Sequence, residues 1–215
     1  MDYHHYLQSS QVRIVKRKFR LGELLDDLRD LFSVQSEIKG IHFRIEVLGS
    51  EDDRNEWLYT DQTRLMQVLV NLINNSLKFT LRGFITLRVQ IQAQKTRLVH
   101  FELEDSGIGI PKDKQEKLFQ FFTTFDTKQG NGLGLAMSRT LVQALGPEDK
   151  IHLESEVGVG SKFQFIIHQY LDVGAVSEPS NNRASDVSSG FKSVNEMKGS
   201  SIQQVKCATY LDMMP

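Results

Sequence analysis

The chain has 215 residues, 40% of them apolar, with 26 basic and 27 acidic side chains. This composition is typical of a globular domain, and a net charge of -1 excludes the general basic field on which nonspecific nucleic-acid binding depends. A single cysteine, Cys207, excludes an internal disulfide, and the sequence has neither an 18-residue apolar run nor a signal-peptide pattern, so we expect a soluble protein in a reducing compartment.

The spacing of apolar residues changes several times along the first 171 residues, and each change marks a predicted element. In chain order we first predict a helix at 19–32, a strand at 41–47, a second helix at 61–79 and a hairpin with strands at 85–93 and 98–104. A short helix at 112–122, a longer helix at 133–145 and a final hairpin with strands at 151–156 and 162–168 follow. Helices and strands interleave without strict alternation, which predicts an α/β chain of the α+β two-layer type. We expect a mixed sheet of about five strands with three main helices on one face.

Residues 172–215 are rich in serine and poor in large apolar side chains. Such a segment offers too little apolar surface to offset the entropy of ordering it, so we predict a linker or a disordered tail.

The segment 61–78 predicts a mostly buried helix with one polar stripe. The members of this stripe fall within roughly 100° of the helical wheel, and they are Arg64, Gln67, Asn71, Asn74, Asn75 and Lys78. A stripe that merely faces water is usually filled with strong helix formers, which asparagine is not. Amide oxygens followed by one cation suit a magnesium ion and phosphates, because Mg²⁺ takes few protein oxygens and fills its shell with phosphate and water. A solvated face remains the alternative.

A strand ending in Asp105 is followed by Gly107 and Gly109. By itself this pattern indicates a turn. The functional interpretation is that the Asp105 carboxylate, beside an apolar pocket, accepts a hydrogen bond from an exocyclic amine, while the two glycines let the backbone approach a flat base.

Glycines also precede the predicted helix at 133–145, at Gly130, Gly132 and Gly134. Exposed backbone amides and the positive end of a helix dipole form an anion site. The GxGxG spacing fits neither a dinucleotide-binding fingerprint nor a P-loop. A further glycine segment, 158–161, lies at the tip of the final predicted hairpin and by itself indicates only a turn.

Together with an aromatic segment between them, these segments resemble the N, G1, F, G2 and G3 boxes of the sensor histidine kinase ATP-binding domain, a branch of the GHKL superfamily. The matching segments are 71–80, 105–110, 118–122, 130–135 and 158–163. The resemblance implies the Bergerat ATP-binding fold, shared with DNA gyrase B and MutL, in which ATP lies between the helices and a mobile lid. It also implies three regions: the end of a dimerisation-domain helix with its linker, an ATPase domain, and a serine-rich tail, at 1–18, 19–171 and 172–215.

The resemblance assigns roles to individual residues. Asp105 would bind the adenine amino group, Asn75 would ligate Mg²⁺ with Asn71 assisting, and Lys78 would lie near the phosphates. Asn71 and Lys78 are the implied catalytic residues. The other implied nucleotide contacts are Gly107, Gly109, Ile110, Phe119, Phe122, Lys128, Gly130, Gly132, Leu133, Gly134 and Ser161.

Position 71 separates the subfamilies, because hydrolysing relatives carry a glutamate there that activates water. Asn71 therefore favours donation of the γ-phosphoryl group to an external nucleophile, since phosphoryl transfer depends on positioning and charge neutralisation. In the family this nucleophile is a histidine. The implied function is the catalytic domain of a two-component sensor histidine kinase that uses ATP and Mg²⁺.

The family's acceptor motif, a histidine followed by an acidic residue and then Thr-Pro, is not found in this sequence. We therefore expect the acceptor on a separate dimerisation domain and no phosphorylation in cis. The tail resembles the tether to a response-regulator receiver domain. We expect a cytoplasmic chain without nucleic-acid or membrane contacts of its own, even if its parent protein is membrane-anchored. A regulatory or truncated nucleotide-binding module, which the short lid at 123–130 favours, and a GHKL ATPase remain alternatives.

Overall fold

The computed structural model describes residues 12–92, 97–120 and 132–170. In chain order its elements are β1 (Arg17–Arg20), α1 (Leu21–Lys39), β2 (Ile41–Leu48), a 3₁₀ helix (Glu51–Asn55), β3 (Trp57–Thr60), α2 (Gln62–Phe79), β4 (Gly83–Gln92), β5 (Leu98–Asp105), α3 (Lys112–Gln115), α4 (Gly134–Leu145), β6 (His152–Glu156) and β7 (Gly160–His168). Of the predicted elements, the central helix and the four strands of the two hairpins agree with these bounds to within about two residues.

The main sheet has five strands in the order β2-β4-β5-β7-β6. Strand β2 is parallel to β4, and the other neighbours are antiparallel, so the sheet is mixed as predicted. A parallel pair needs a crossover, which α2 provides between β2 and β4. The register places Asp105, the last residue of β5, opposite Ser161 near the start of β7. The carboxylate predicted to bind adenine thus lies at one end of the sheet.

The core lies between one face of the sheet and the three longer helices, α1, α2 and α4. Alternate residues of the central strands fill this layer, and the rings of Phe101 and Phe165 stack with centroids 5.1 Å apart. Helix α2 is buried around most of its circumference, with Leu65, Leu69, Leu72 and Leu77 among its buried residues. The predicted two-layer α/β architecture is confirmed.

Two differences from the predicted elements have clear physical causes. Helix α1 begins at Leu21 because Phe19 belongs to β1, where it pairs with Leu58 of β3. The helix also continues past the predicted end to Lys39. The buried position one turn after Phe32 is Ser36, so the apolar signal disappears there while the helix continues.

The small sheet of β1 and β3 was not predicted. Each strand has four residues, which is too short for a clear alternating pattern. Strand β1 begins at Arg17, two residues before the predicted start of the domain at 19. The domain boundaries themselves stay predictions.

The opposite face of the main sheet carries charged residues. Arg88 of β4 forms salt bridges with Glu46 of β2 and with Glu102 and Glu104 of β5. One guanidinium group thereby crosslinks three neighbouring strands. Within the described ranges, none of the helices is both long enough and apolar enough to cross a membrane.

Candidate functional site

Helix α2 begins at a well-capped position. The Asp61 carboxylate accepts a hydrogen bond from the Arg64 amide at 3.0 Å, which is the standard role of an aspartate at the N-cap. Its second oxygen accepts a hydrogen bond from the Val15 amide at 2.7 Å. Asp61 is buried, so these two bonds fix both the start of the helix and the chain segment that leads into the domain.

The structure places Asn71 against the first turns of α4. Its side-chain amide donates a hydrogen bond to the Ser138 hydroxyl at 2.8 Å. A Cβ atom on Gly134 would lie 2.3 Å from Asn71 Oδ1, so a larger residue there would displace the Asn71 side chain from its present position. The two predicted site residues Asn71 and Gly134 are therefore brought together, at the positive end of a helix dipole.

Asn75 and Lys78 continue the polar stripe by one and two further turns of α2. Both side chains are partly exposed, and Lys78 Nζ lies 5.0 Å from the centroid of the Phe79 ring. The stripe is therefore neither buried in the core nor fully in water. Their predicted contacts with Mg²⁺ and phosphates stay predictions.

Asp105, the last residue of β5, lies beside the C-terminal part of α2, with only 6% of its surface exposed. The Ser76 hydroxyl donates to Asp105 Oδ2 at 2.9 Å, and the Gly107 amide donates to Oδ1 at 3.0 Å. Burial raises the pKa of Asp105 above its ordinary value, and these hydrogen bonds, with one from the Ser161 amide, oppose that rise. The result is a buried carboxylate with partly satisfied oxygens, which can still accept a further hydrogen bond.

The G1 loop, residues 105–110, is held between α2 and the turn that joins β6 to β7. The Ile108 amide donates to the Phe79 carbonyl at 3.1 Å, and the Ile108 carbonyl accepts from the Gly158 amide at 2.9 Å. Gly109 has φ +68°, and a Cβ on it would lie 1.9 Å from the Glu156 carbonyl oxygen. Packing against the protein's own backbone therefore explains this glycine. The approach of a base to Gly107 and Gly109 stays a prediction.

A second set of hydrogen bonds fixes the end of this loop. The Ile110 amide donates to the Ser155 hydroxyl at 2.8 Å, and Ser155 Oγ lies 3.0 Å from Ser161 Oγ. The Gln115 side chain donates to the carbonyls of Ile110 and Ser155. Ile110 and Ser161, both predicted, are thus joined through Ser155, which the sequence did not single out.

The remaining predicted residues lie at the start of α4 and in the aromatic segment. Gly132 adopts φ +66°, and Leu133 is the N-cap residue of α4, whose carbonyl accepts the first helical hydrogen bond, from Met137. Phe119 packs against the core. Phe122, Lys128 and Gly130 lie outside the described residues.

The sequence analysis did not identify three serines that position the predicted groups. Hydrogen bonds join Ser76 to Asp105, Ser138 to the Asn71 side chain, and Ser155 to the Ile110 amide. Ser76 and Ser138 interrupt otherwise apolar helix faces, and such an interruption is the one signal that could have identified them. A buried hydroxyl normally requires a partner, so a lone serine on a buried face indicates a nearby polar group.

The donor set fits a magnesium ion. Within the described residues no three histidine, cysteine or acidic side chains converge to hold a metal ion. The available ligands are the amide oxygens of Asn71 and Asn75, which are hard donors. A site with so few protein ligands suits a metal that arrives with phosphate oxygens and water.

Removal of the Ser76 hydroxyl is expected to alter how nucleotide binding depends on pH. The Ser76→Ala variant loses a donor to the Asp105 carboxylate, so the pKa of Asp105 should rise further. Because the ionised carboxylate is the stronger acceptor, affinity for an ATP analogue should fall on acidification, and this fall should begin at a higher pH in the variant. Calorimetric titrations from neutral to mildly acidic pH measure the shift.

Ser138→Ala is the matched control, because Ser138 is equally buried but contacts the uncharged Asn71. This variant should leave the pH profile in place even if affinity changes. Identical pH profiles for wild type and Ser76→Ala would contradict the prediction.

The comparisons with known proteins agree on one family. The family model described as "Histidine kinase-, DNA gyrase B-, and HSP90-like ATPase" matches residues 60–171. The aerobic respiration control sensor protein ArcB of Escherichia coli K12 is 36% identical over 168 residues, 75% of this chain and 21% of ArcB. Hybrid signal transduction histidine kinase B of Dictyostelium discoideum is 34% identical over 176 residues, 78% of this chain and 8% of that protein. The chain thus spans at most about a fifth of the length of these relatives.

Solved structures give the same result. The nucleotide-free catalytic domain of histidine kinase ThkA superposes with a TM-score of 0.61 at 29% identity, over 72% of this chain and 96% of that domain. Full-length ShkA in complex with AMPPNP superposes with a TM-score of 0.64 at 27% identity, over 76% of this chain and 33% of ShkA.

Proposed function

Because this chain belongs to the histidine kinase-, DNA gyrase B- and HSP90-like ATPase family, we propose that it binds Mg-ATP and donates the γ-phosphoryl group to a histidine of a dimerisation domain. It is the ATP-binding catalytic domain of a sensor histidine kinase, the class of protein to which its similar relatives and structures belong. The transfer step and the residues that carry it are the proposal.

The observation that carries this proposal concerns the Asn71 side-chain amide of α2, which is hydrogen-bonded to Ser138 in the first turns of α4. A hydrolase needs a group that activates water at this place, and an amide that donates to Ser138 cannot take a proton from water. The backbone amides at the start of α4 remain suited to hold phosphate oxygens. Such a site can position a phosphoryl group for attack by an external imidazole.

One helix connects the two ends of the proposed nucleotide site. Asn71 contacts α4, while Ser76 on the same helix contacts Asp105 of β5. Five residues of helix correspond to about 7.5 Å along its axis. In the proposal, the buried Asp105 carboxylate accepts a hydrogen bond from the adenine amino group, and the phosphates extend along the stripe toward Asn71 and Gly134.

Asn75 and Asn71 are the residues that would hold Mg²⁺, with Lys78 beside the phosphates. The bound ion would neutralise charge on the β- and γ-phosphate oxygens. The protein's own contribution is positioning: the Ser138 hydroxyl fixes the Asn71 amide, and the missing side chain of Gly134 leaves room for it at the first turn of α4. We place this chemistry in the cytoplasm, which fits a chain with one cysteine.

The proposed partners are a histidine-bearing dimerisation domain and a downstream receiver domain. The name of the Dictyostelium relative, a hybrid histidine kinase, supports a receiver in the parent protein. ArcB is much longer than the segment matched here, so additional domains accompany the equivalent segment in that protein.

The proposal is tested by mixing this chain with labelled ATP and a separately purified, histidine-bearing dimerisation domain of a sensor histidine kinase. Acid-labile label should appear on the acceptor, and an acceptor whose phosphorylatable histidine is replaced should stay unlabelled. Saturable nucleotide binding without transfer to any acceptor tested would instead support a regulatory module. Rapid steady-state phosphate release without an acceptor would support an ATPase.

A further inference from the structure

Strand β2 lies at one edge of the main sheet, and no other described strand pairs with its outer side. It pairs only with β4, and among the described residues no backbone group outside this sheet bonds to it. Its eight residues make a long edge with unpaired N–H and C=O groups at alternate positions. Proteins usually shorten, cover or interrupt such edges, because an extended chain can pair with them.

A groove runs along this edge, beside helix α1. It consists of two adjoining cavities of about 500 and 460 Å³, and Arg29 and Ile45 line both of them. The strand side of the groove carries Phe43, Ile45 and Val47, whose side chains are only half-buried. The free edge is therefore bordered by apolar side chains at the two-residue spacing of a strand.

The charge around the groove is mainly positive. Its wall includes three arginines, Arg29, Arg44 and Arg54, and one acidic residue, Glu37. Arg29 and Arg54 both contact a single oxygen, Asp26 Oδ1, at 2.7 and 2.5 Å. The Asp26 carboxylate is thus shared by the guanidinium groups of Arg29 and Arg54, and a carboxylate from a bound partner would give each arginine its own ion pair.

The helix side of the groove contains an unsatisfied donor. Ser36 is 1% exposed, it lines the groove, and its hydroxyl has no hydrogen-bond partner among the described residues. A buried hydroxyl without a partner costs free energy, but because this oxygen is closed to solvent it offers no contact to a partner in the groove.

We propose that this groove binds an extended segment of a partner protein as an added strand on β2, whose side chains on the α1 side are apolar except for one acidic residue. Backbone hydrogen bonds to the free edge provide affinity, and the apolar side chains pack on Phe43, Ile45 and Val47. An acidic side chain completes the pairing of Arg29 and Arg54. The site is separate from the proposed nucleotide site, which lies beyond β4 in the sheet order.

A second copy of this chain fits the groove less well. Antiparallel pairing of two β2 strands about Ile45 would place Arg44 opposite Glu46, which is favourable. The same pairing would bring the two Arg29 side chains together, because Arg29 lies beside Ile45. An acidic segment avoids this repulsion.

The test uses the full chain and a fluorescein-labelled eight-residue peptide, Thr-Val-Thr-Glu-Thr-Val-Thr-Val, in which the valines and the glutamate lie on the same face of the strand. Fluorescence anisotropy should show saturable binding that weakens as salt rises. The same peptide with lysine in place of the glutamate should not bind. Hydrogen exchange should slow at β2 amides when the acidic peptide is present.

Arg29→Glu should weaken binding at least about tenfold, and Arg29→Gln should have a smaller effect. Arg29 is 46% exposed, so both variants should fold, which thermal melting checks. Arg139→Glu is the matched control, because Arg139 is an exposed helical arginine outside the groove and should leave binding unchanged. Three results would overturn the proposal: no binding, equal binding of the lysine peptide, or no effect of Arg29→Glu. Self-association through β2, detected by sedimentation, would assign the edge to a second copy instead.

Discussion

Replacement of Asp105 by asparagine is expected to weaken Mg-ATP binding about 10- to 150-fold, because a hydrogen bond to a charged group contributes roughly 1.5–3 kcal/mol. Both carboxylate oxygens already accept from donors, Ser76 and the Gly107 amide. The asparagine side chain would present its NH₂ group to one of these donors, so the pocket would lose its geometry as well as its charge. Calorimetry with a nonhydrolysable analogue and Mg²⁺ measures the effect.

Asp113→Asn is the control for this prediction. Asp113 is an exposed carboxylate on α3, a few residues beyond the same loop, and its removal changes the net charge by the same amount. Binding should be unchanged in this variant. A fully folded Asp105→Asn protein with wild-type affinity would show that the nucleotide base binds elsewhere.

Replacement of Gly109 by alanine is expected to destabilise the domain by about 3 kcal/mol or more. The left-handed backbone of Gly109 is unfavourable for alanine, and the added Cβ would overlap the Glu156 carbonyl oxygen at 1.9 Å. That oxygen belongs to the backbone, so relief requires the loop to separate from the turn between β6 and β7. The melting temperature should fall by about 6 °C or more.

Gly40→Ala provides a closely matched control. Gly40 ends α1 with φ +67°, nearly the same backbone angle as Gly109, but nothing lies within 4 Å of the added Cβ. Only the backbone strain of about 1 kcal/mol applies there. Equal melting temperatures for the two variants would mean that the close contact at Gly109 is not important for stability.

The sequence predicted helix α2 and its polar stripe well, because the information is local. An almost continuous apolar surface interrupted by asparagines at helical spacing has few structural interpretations. The structure places Asn71 against Ser138, and it places Asp105 beside Ser76 on the same helix. The predicted residues therefore converge, while their contacts with nucleotide and metal stay predictions.

Other features of the site could not be predicted because they depend on contacts between distant residues. The bond between Ser76 and Asp105 joins residues 29 positions apart, and its existence follows from how α2 crosses β5. The role of Gly109 is similar, because the restriction comes from Glu156 on another strand. The sequence indicated the need for a glycine there but not what surrounds it.

The shared carboxylate of Asp61 has a mechanical consequence. One of its oxygens caps the helix that carries Asn71, and the other anchors the backbone at Val15. A pull on the polypeptide ahead of Val15 must therefore either break a short hydrogen bond or displace the start of that helix. Tension on the incoming chain thus has a direct route to the polar stripe through the Asp61 side chain, in addition to the pairing of β1 with β3.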